Sequence, residues 1–142
     1  MADIKHAIVI EAPAERVRSL VESAAGFAQW WAVDSTEPSK GVAELGFFKR
    51  STLYRLRLET ESPEKTVWRC ETGDEWNGTS LRFTVRENGA SSALRFSHAG
   101  WAAETEYFTN CNTTWGELMY RLKAVAEGKS AGPLFLADSL AY

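Results

Sequence analysis

Apolar residues change their spacing several times along this 142-residue chain, and each change predicts an element. The segment from Ile4 to Glu11 is apolar and rich in β-branched residues, with Ile4, His6, Ile8 and Ile10 on one face of a strand. Pro13 stands where a helix start tolerates a missing amide donor, and AERVRSLVESA then supplies Val17, Leu20 and Val21 at helical spacing. Gly26 interrupts before FAQWW, which predicts two short helices with a joint. From Gly41 the period becomes two, and residues 42–48, 52–61, 65–72, 79–87 and 91–100 read as five strands. Their connections are short, so neighbours run antiparallel. Asn88-Gly89 is the strongest hairpin signal, because both residues tolerate positive φ.

The last regular element reverts to helical spacing. Phe108, Cys111, Trp115, Leu118, Leu122 and Val125 form one apolar stripe, predicting a helix over 104–127 that Gly128 ends. The tail KSAGPLFLADSLAY carries Pro133 and the cluster Leu134 to Leu136, which predicts packing on the body or on a second copy. The chain thus reads as one domain over 1–128 followed by an apolar tail over 129–142.

Alternation divides the strands into a dry and a wet face. Tyr54, Leu56 and Leu58 oppose Arg55, Arg57 and Glu59. Trp68 and Cys70 oppose Arg69 and Glu71. Leu81, Phe83 and Val85 oppose Arg82, Thr84 and Arg86, and Leu94, Phe96 and His98 oppose Arg95 and Ser97. The long helix can cover the dry face, giving an α+β domain of two layers around one core. A twisted sheet does not meet a straight helix along its whole length, so a space is expected at one end. Trp30, Trp31, Trp68, Trp76 and Trp101 are large enough to line it, and each indole brings one N–H that needs a partner.

Charge and cysteine content narrow the function. Sixteen Lys plus Arg against nineteen Asp plus Glu leave a formal charge of -3, which argues against a phosphate-backbone binder. The arginines of the wet face, Arg55, Arg57, Arg69, Arg82, Arg86 and Arg95, alternate with Glu59 and Glu71 and read as a solvated surface with ion pairs. No export signal or membrane-length apolar run is visible, so a cytoplasmic location is expected. His6, Cys70, His98 and Cys111 lack the paired close spacings of zinc sites, and no metal is expected. A phosphate-binding glycine loop, a dinucleotide fingerprint and a serine nucleophile elbow are all missing from the sequence, so no cofactor is expected either.

Three stretches carry a family resemblance. APAERVRSLVESAAGFAQWW is similar to a Pro-Ala-Glu-x-Val segment leading to a tryptophan pair. LRFTVRENGASSALRFSHAGW resembles a hairpin ending in His-x-Gly-aromatic, and TTWGELMYRLKAVAEG resembles a closing helix with Trp115 and the Leu122-Lys123 pair in place. Over roughly residues 4–128 the chain resembles the START/Bet v 1-like (SRPBCC) superfamily. It looks most like bacterial relatives of the activator of Hsp90 ATPase and the polyketide cyclase-like proteins. The family's usual Gly-Gly before the second strand is absent, since GVAELGFF has single glycines. The resemblance implies a helix-grip fold, a curved antiparallel sheet of about six strands wrapped around the long C-terminal helix. It also implies a cavity between them, which in relatives holds lipids, steroids, hormones or polyketides.

The leading expectation is a domain that binds a small hydrophobic or aromatic molecule. Its expected ligand-binding residues are Trp30, Trp31, Tyr54, Trp68, Phe83, Phe96, His98, Trp101, Phe108, Asn110, Cys111 and Trp115. Thr114 is a further polar candidate on the helix. A second reading is a cyclase, aromatase or dehydratase in which His98 moves protons and Tyr54 or Glu106 orients the substrate. For His98 the commoner role of such a residue is structural, as a hydrogen-bond partner inside the core. A third reading is protein association, either Hsp90-related or as a homodimer formed through the tail.

Overall fold

The computed structural model describes residues 1–137 and 139, apart from the side chain of Thr60. In chain order the elements are β1 (Ala2–Ile10), α1 (Ala14–Val21), α2 (Ala24–Trp30), β2 (Ser35–Ser39), β3 (Val42–Phe47), β4 (Thr52–Glu61), β5 (Lys65–Cys70), β6 (Ser80–Asn88), β7 (Ser91–Trp101) and α3 (Glu106–Ala126). The strands form one seven-stranded sheet in the order β1-β7-β6-β5-β4-β3-β2, with every adjacent pair antiparallel. Register shifts between Ala2 and Ile4, Thr36 and Ser39, and Leu58 and Thr60 bend their strands, and the bends help the sheet curve around α3.

The alternation read from the sequence sets the layers. Tyr54, Leu56, Trp68, Cys70, Leu81, Phe83, Val85, Leu94, Phe96 and His98 are all buried on the concave face. Phe108, Cys111, Trp115, Leu118, Leu122 and Val125 of α3 are buried against them, and α1 contributes Val17, Leu20 and Val21 to the same core. The wet-face arginines are exposed, and Arg55–Glu44, Arg57–Glu71 and Arg86–Glu64 pair there at 2.9, 2.8 and 3.7 Å. Such exposed pairs contribute little to stability.

Four local features differ from the sequence reading. β2 adds a seventh strand. Its sequence STEPS has no apolar alternation, and its pairing to β3 alone as an edge strand requires none. The joint between the short helices lies at Glu22-Ser23, where the Ser23 hydroxyl caps α2 by accepting from the Gly26 amide at 3.0 Å. Gly26 lies inside α2, where a Cβ would stand 2.7 Å from the Ser19 carbonyl oxygen; the glycine lets the helices touch and does not break one. The β6–β7 loop is Gly89-Ala90, with positive φ at Gly89 alone, so the glycine takes the first central position of a two-residue turn.

Gly128, at φ +82°, follows α3 as expected, and its amide closes the last turn onto Val125. The C-terminal segment then runs back beside α2. Leu134 and Phe135 donate to the Trp30 and Trp31 carbonyls at 3.1 and 2.9 Å, and Val33 donates to the Phe135 carbonyl at 3.0 Å. Residues 138 and 140–142 of the tail lie outside the described residues.

Candidate functional site

Two arrangements on the concave face bear on function, one closed and one open. The closed one is centred on His98, which is fully buried. The Trp115 indole can only donate, so its Nε1 at 3.2 Å makes the His98 Nδ1 an acceptor. A neutral imidazole then carries its proton on Nε2, which donates to Thr79 Oγ1 at 2.8 Å, and that hydroxyl donates to the Trp76 carbonyl at 2.6 Å. Every member of this chain from α3 through β7 to the β5–β6 loop is satisfied. Burial pushes the His98 pKa down to about 3, so the ring stays neutral across the physiological range. With both nitrogens engaged, His98 joins helix to sheet and has no free atom to offer a substrate.

The second arrangement adjoins the first and shares Trp76 and Trp115 with it. Trp31 from the end of α2, Phe47 and Phe48 from the end of β3, Thr52 and Tyr54 from β4, and Trp76 from the β5–β6 loop surround it. Cys111, Thr114, Trp115 and Leu118 of α3 and Phe135 of the tail complete the wall. The helix residues fall at positions 111, 114, 115 and 118, the spacing of one helix face. Trp76 reaches inward because Gly73 and Gly78 take φ +95° and +89°, folding the loop onto the sheet. Its ring stacks on Tyr54 at 4.0 Å and 9°, and a Cβ at Gly73 would stand 2.6 Å from the Tyr54 ring. Trp31 and Trp115 meet at 4.9 Å on the far side. The enclosed space is about 20 Å³, room for one water.

This pocket borders an open cleft of about 480 Å³, and Phe48, Thr52 and Tyr54 lie on both. Ser51, Leu53, Gly73, Asp74, Glu75 and Tyr107 complete the cleft. The hydroxyls of Tyr54 and Tyr107 hydrogen-bond to each other at the boundary. Burial pushes the Cys111 thiol up to about 11 and the Cys70 thiol up to about 12. Both cysteines are free thiols, protonated near neutrality, and so are poor nucleophiles. Among the described residues no three His, Cys, Asp or Glu side chains converge as metal ligands, and no helix is long and apolar enough to cross a membrane.

Of the expected ligand-binding residues, the pocket brings together Trp31, Tyr54, Cys111 and Trp115. Trp30 and Trp68 lie in the core with their indoles donating to the Leu20 and Val21 carbonyls, both at 2.8 Å. Phe83, Phe96, Trp101 and Phe108 fill the layer around His98 and Trp115, where Phe96 lies 4.3 Å from the Trp115 ring. Asn110 and Glu106 are exposed on the outer side of α3, since their helical phase points them away from the sheet. Phe47, Phe48, Thr52 and Phe135 were not singled out from the sequence as site residues. The available signals were a phenylalanine pair at a hairpin end and an apolar tail after Pro133.

A curved antiparallel sheet closed over a long terminal helix, with two short helices after the first strand, defines the helix-grip class, and this chain has that fold. The resemblance read from the sequence extends to solved structures. The Aha1 dimer from Colwellia psychrerythraea superposes with a TM-score of 0.78 at 23% identity, over 89% of this chain and 97% of that one. Protein BH1534 of Bacillus halodurans gives 0.69 at 21% identity, over 89% and 98%. DynU16, from the dynemicin biosynthetic locus, gives 0.71 at 14% identity over 92% of this chain, which spans about half of it (49%). No protein-family model and no curated protein matches the chain. At these identities the likeness is one of fold, and one fold carries many functions.

Proposed function

We propose that this domain binds a small, uncharged aromatic or apolar molecule in the pocket between β3, β4 and α3. The observation that carries the reading is the lining itself. Trp31, Phe47, Trp76 and Trp115 supply aromatic walls, while Thr52, Tyr54, Cys111 and Thr114 add neutral polar side chains to the lining. An apolar cavity with a few convergent hydrogen-bonding groups orients a ligand without needing a charge on it. Its adjacency to an open cleft supports a path inward. The closed form holds little more than a water, so entry requires side chains at the mouth to swing outward.

Titration with a panel of uncharged aromatic compounds tests this reading. Saturable quenching or shift of tryptophan emission is expected, because Trp31, Trp76 and Trp115 all face the space. The response should strengthen in Leu118→Ala, which enlarges the pocket from the helix side. A wild type and a folded Leu118→Ala variant that both fail to respond would overturn it. Self-association is a second reading, supported by the similarity to the dimeric Aha1 structure. Sedimentation of the full chain checks it: a species of twice the chain mass supports the reading, and a monomer at all concentrations ends it.

A further inference from the structure

Three buried side-chain atoms among the described residues have no hydrogen-bond partner: His6 Nε2, Trp76 Nε1 and Trp101 Nε1. His6 and Trp101 line neither the pocket nor the cleft beside it, whereas Trp76 is part of the pocket wall. An indole nitrogen can only donate, and a buried donor left unpaired is unfavourable. Such a donor beside a space gains its missing bond when an acceptor enters that space.

Trp76 is 4% exposed, and its ring is held on two sides, stacked on Tyr54 at 4.0 Å and edge-to-face with His98 at 4.6 Å. Its carbonyl accepts from the Thr79 amide at 2.9 Å and the Thr79 hydroxyl at 2.6 Å, so the main chain of the loop is pinned as well. The N–H therefore reaches solvent only by unstacking the ring. On the pocket wall it lies beside Cys111. Burial raises the pKa of that thiol and the Trp76 indole opposes the rise, yet no hydrogen bond joins the two. A thiol is a weak acceptor and leaves the donor open to a better one. The nitrogen and oxygen donors that α3 brings to the wall are engaged, Trp115 with His98 at 3.2 Å and Thr114 with the Asn110 carbonyl at 3.1 Å.

We infer that Trp76 Nε1 is the specificity-determining donor of the pocket, and that its ligand is an uncharged aromatic carbonyl compound whose oxygen accepts from this indole. The inference rests on the reading of the pocket as a ligand site and adds the polar group that the ligand carries. A molecule of the same shape without the oxygen leaves the donor buried and unpaired, so the bond alone separates the two.

Acetophenone and α-methylstyrene are the probes, because they share one shape and differ by a carbonyl oxygen in place of a methylene group. Both are titrated by NMR into the full-length wild type, Trp76→Phe, Leu118→Ala and the double variant; phenylalanine keeps a ring at position 76 and removes the N–H. In whichever background binds, the ratio of acetophenone to α-methylstyrene affinity should fall at least about tenfold on Trp76→Phe. Acetophenone should also move the Trp76 indole proton downfield, and α-methylstyrene should not. A ratio that the substitution leaves unchanged would overturn the donor role while leaving the pocket a ligand site. Failure of both probes to bind the wild type and folded Leu118→Ala would overturn the ligand site, and this inference with it. If Trp76→Phe does not fold, the indole proton of Trp76 decides, and a resonance that both probes displace alike, or neither displaces, overturns the inference.

Discussion

The neutral His98 at the centre of the fold makes stability depend on pH in a defined window. Its pKa is about 3 in the folded protein against an ordinary 6.5, and the cause is burial. Its neighbours are Thr79, Trp76, Trp101 and Trp115, none of which carries a charge. Between the two values the unfolded chain binds one more proton than the folded one, so stability rises with pH there. The contribution is fully present above about pH 6.5 and is lost as pH falls toward 3, at about 1.4 kcal/mol per unit. At about pH 5, where ordinary carboxylates remain mostly ionised, the loss amounts to about 2 kcal/mol. Urea unfolding of the wild type and of His98→Gln between about pH 8 and pH 5 isolates this proton, because glutamine can still bridge Trp115 and Thr79 but does not titrate. His6 is common to both proteins, and its contribution cancels. The wild-type curve should fall away from the variant's below about pH 6.5. Parallel curves would refute the reasoning, as would a His98 ring that titrates near 6.5 in the folded protein by ¹⁵N NMR.

Three further outcomes are expected. Trp115→Phe keeps a ring but leaves the buried His98 Nδ1 without its donor, so the urea midpoint should fall by the equivalent of about 2 to 4 kcal/mol with little change in slope. Gly26→Ala should lower stability by about 1 to 3 kcal/mol despite alanine's better helix propensity, because the new Cβ would meet the Ser19 and Leu20 main chain at 2.7 to 2.8 Å; a stabilised variant would show that the helices can separate freely. Glu127 ties the end of α3 to β1 by accepting from Lys123 at 2.7 Å and the Glu11 amide at 2.8 Å, and these bonds hold its carboxyl at about 2, below the usual 4.5. Its contribution is therefore present above about pH 4.5 and lost as pH falls toward 2. Glu127→Gln should be less stable than wild type at neutral pH and show a shallower decline in that acid window, read by circular dichroism.

Much of the fold was legible because it depends on periodicity alone. Alternation of apolar positions set the dry and wet faces of β4 to β7, and the three-and-four spacing from Phe108 to Val125 set the buried stripe of α3. Each pattern is a property of neighbours in sequence, and burying it needs only some complementary layer. The short β2 was not legible, since an edge strand that buries nothing leaves no apolar signature. The placing of Gly26 inside α2 also escaped, because its reason is the backbone of the preceding helix and not its own segment.

The site divides along the same line. Tyr54, Cys111 and Trp115 were accessible from strand and helix phase, and Trp31 from its tryptophan pair. Which inward aromatic borders space and which is packed solid depends on where the sheet and helix diverge, and that is a property of three-dimensional curvature. Phase alone therefore grouped Trp68, Phe83, Phe96 and His98 with Tyr54, although Trp68 and Phe83 pack against α1 and α2 and only Phe96 and His98 meet Trp115 of α3. Trp76 and Phe135 come from a loop and a tail, where no period exists to give direction. Their positions follow from left-handed glycines that fold the loop inward and from a bridge between residues about a hundred positions apart. Local spacing decided what must be buried; only the closure of distant segments decided which side chains line the pocket.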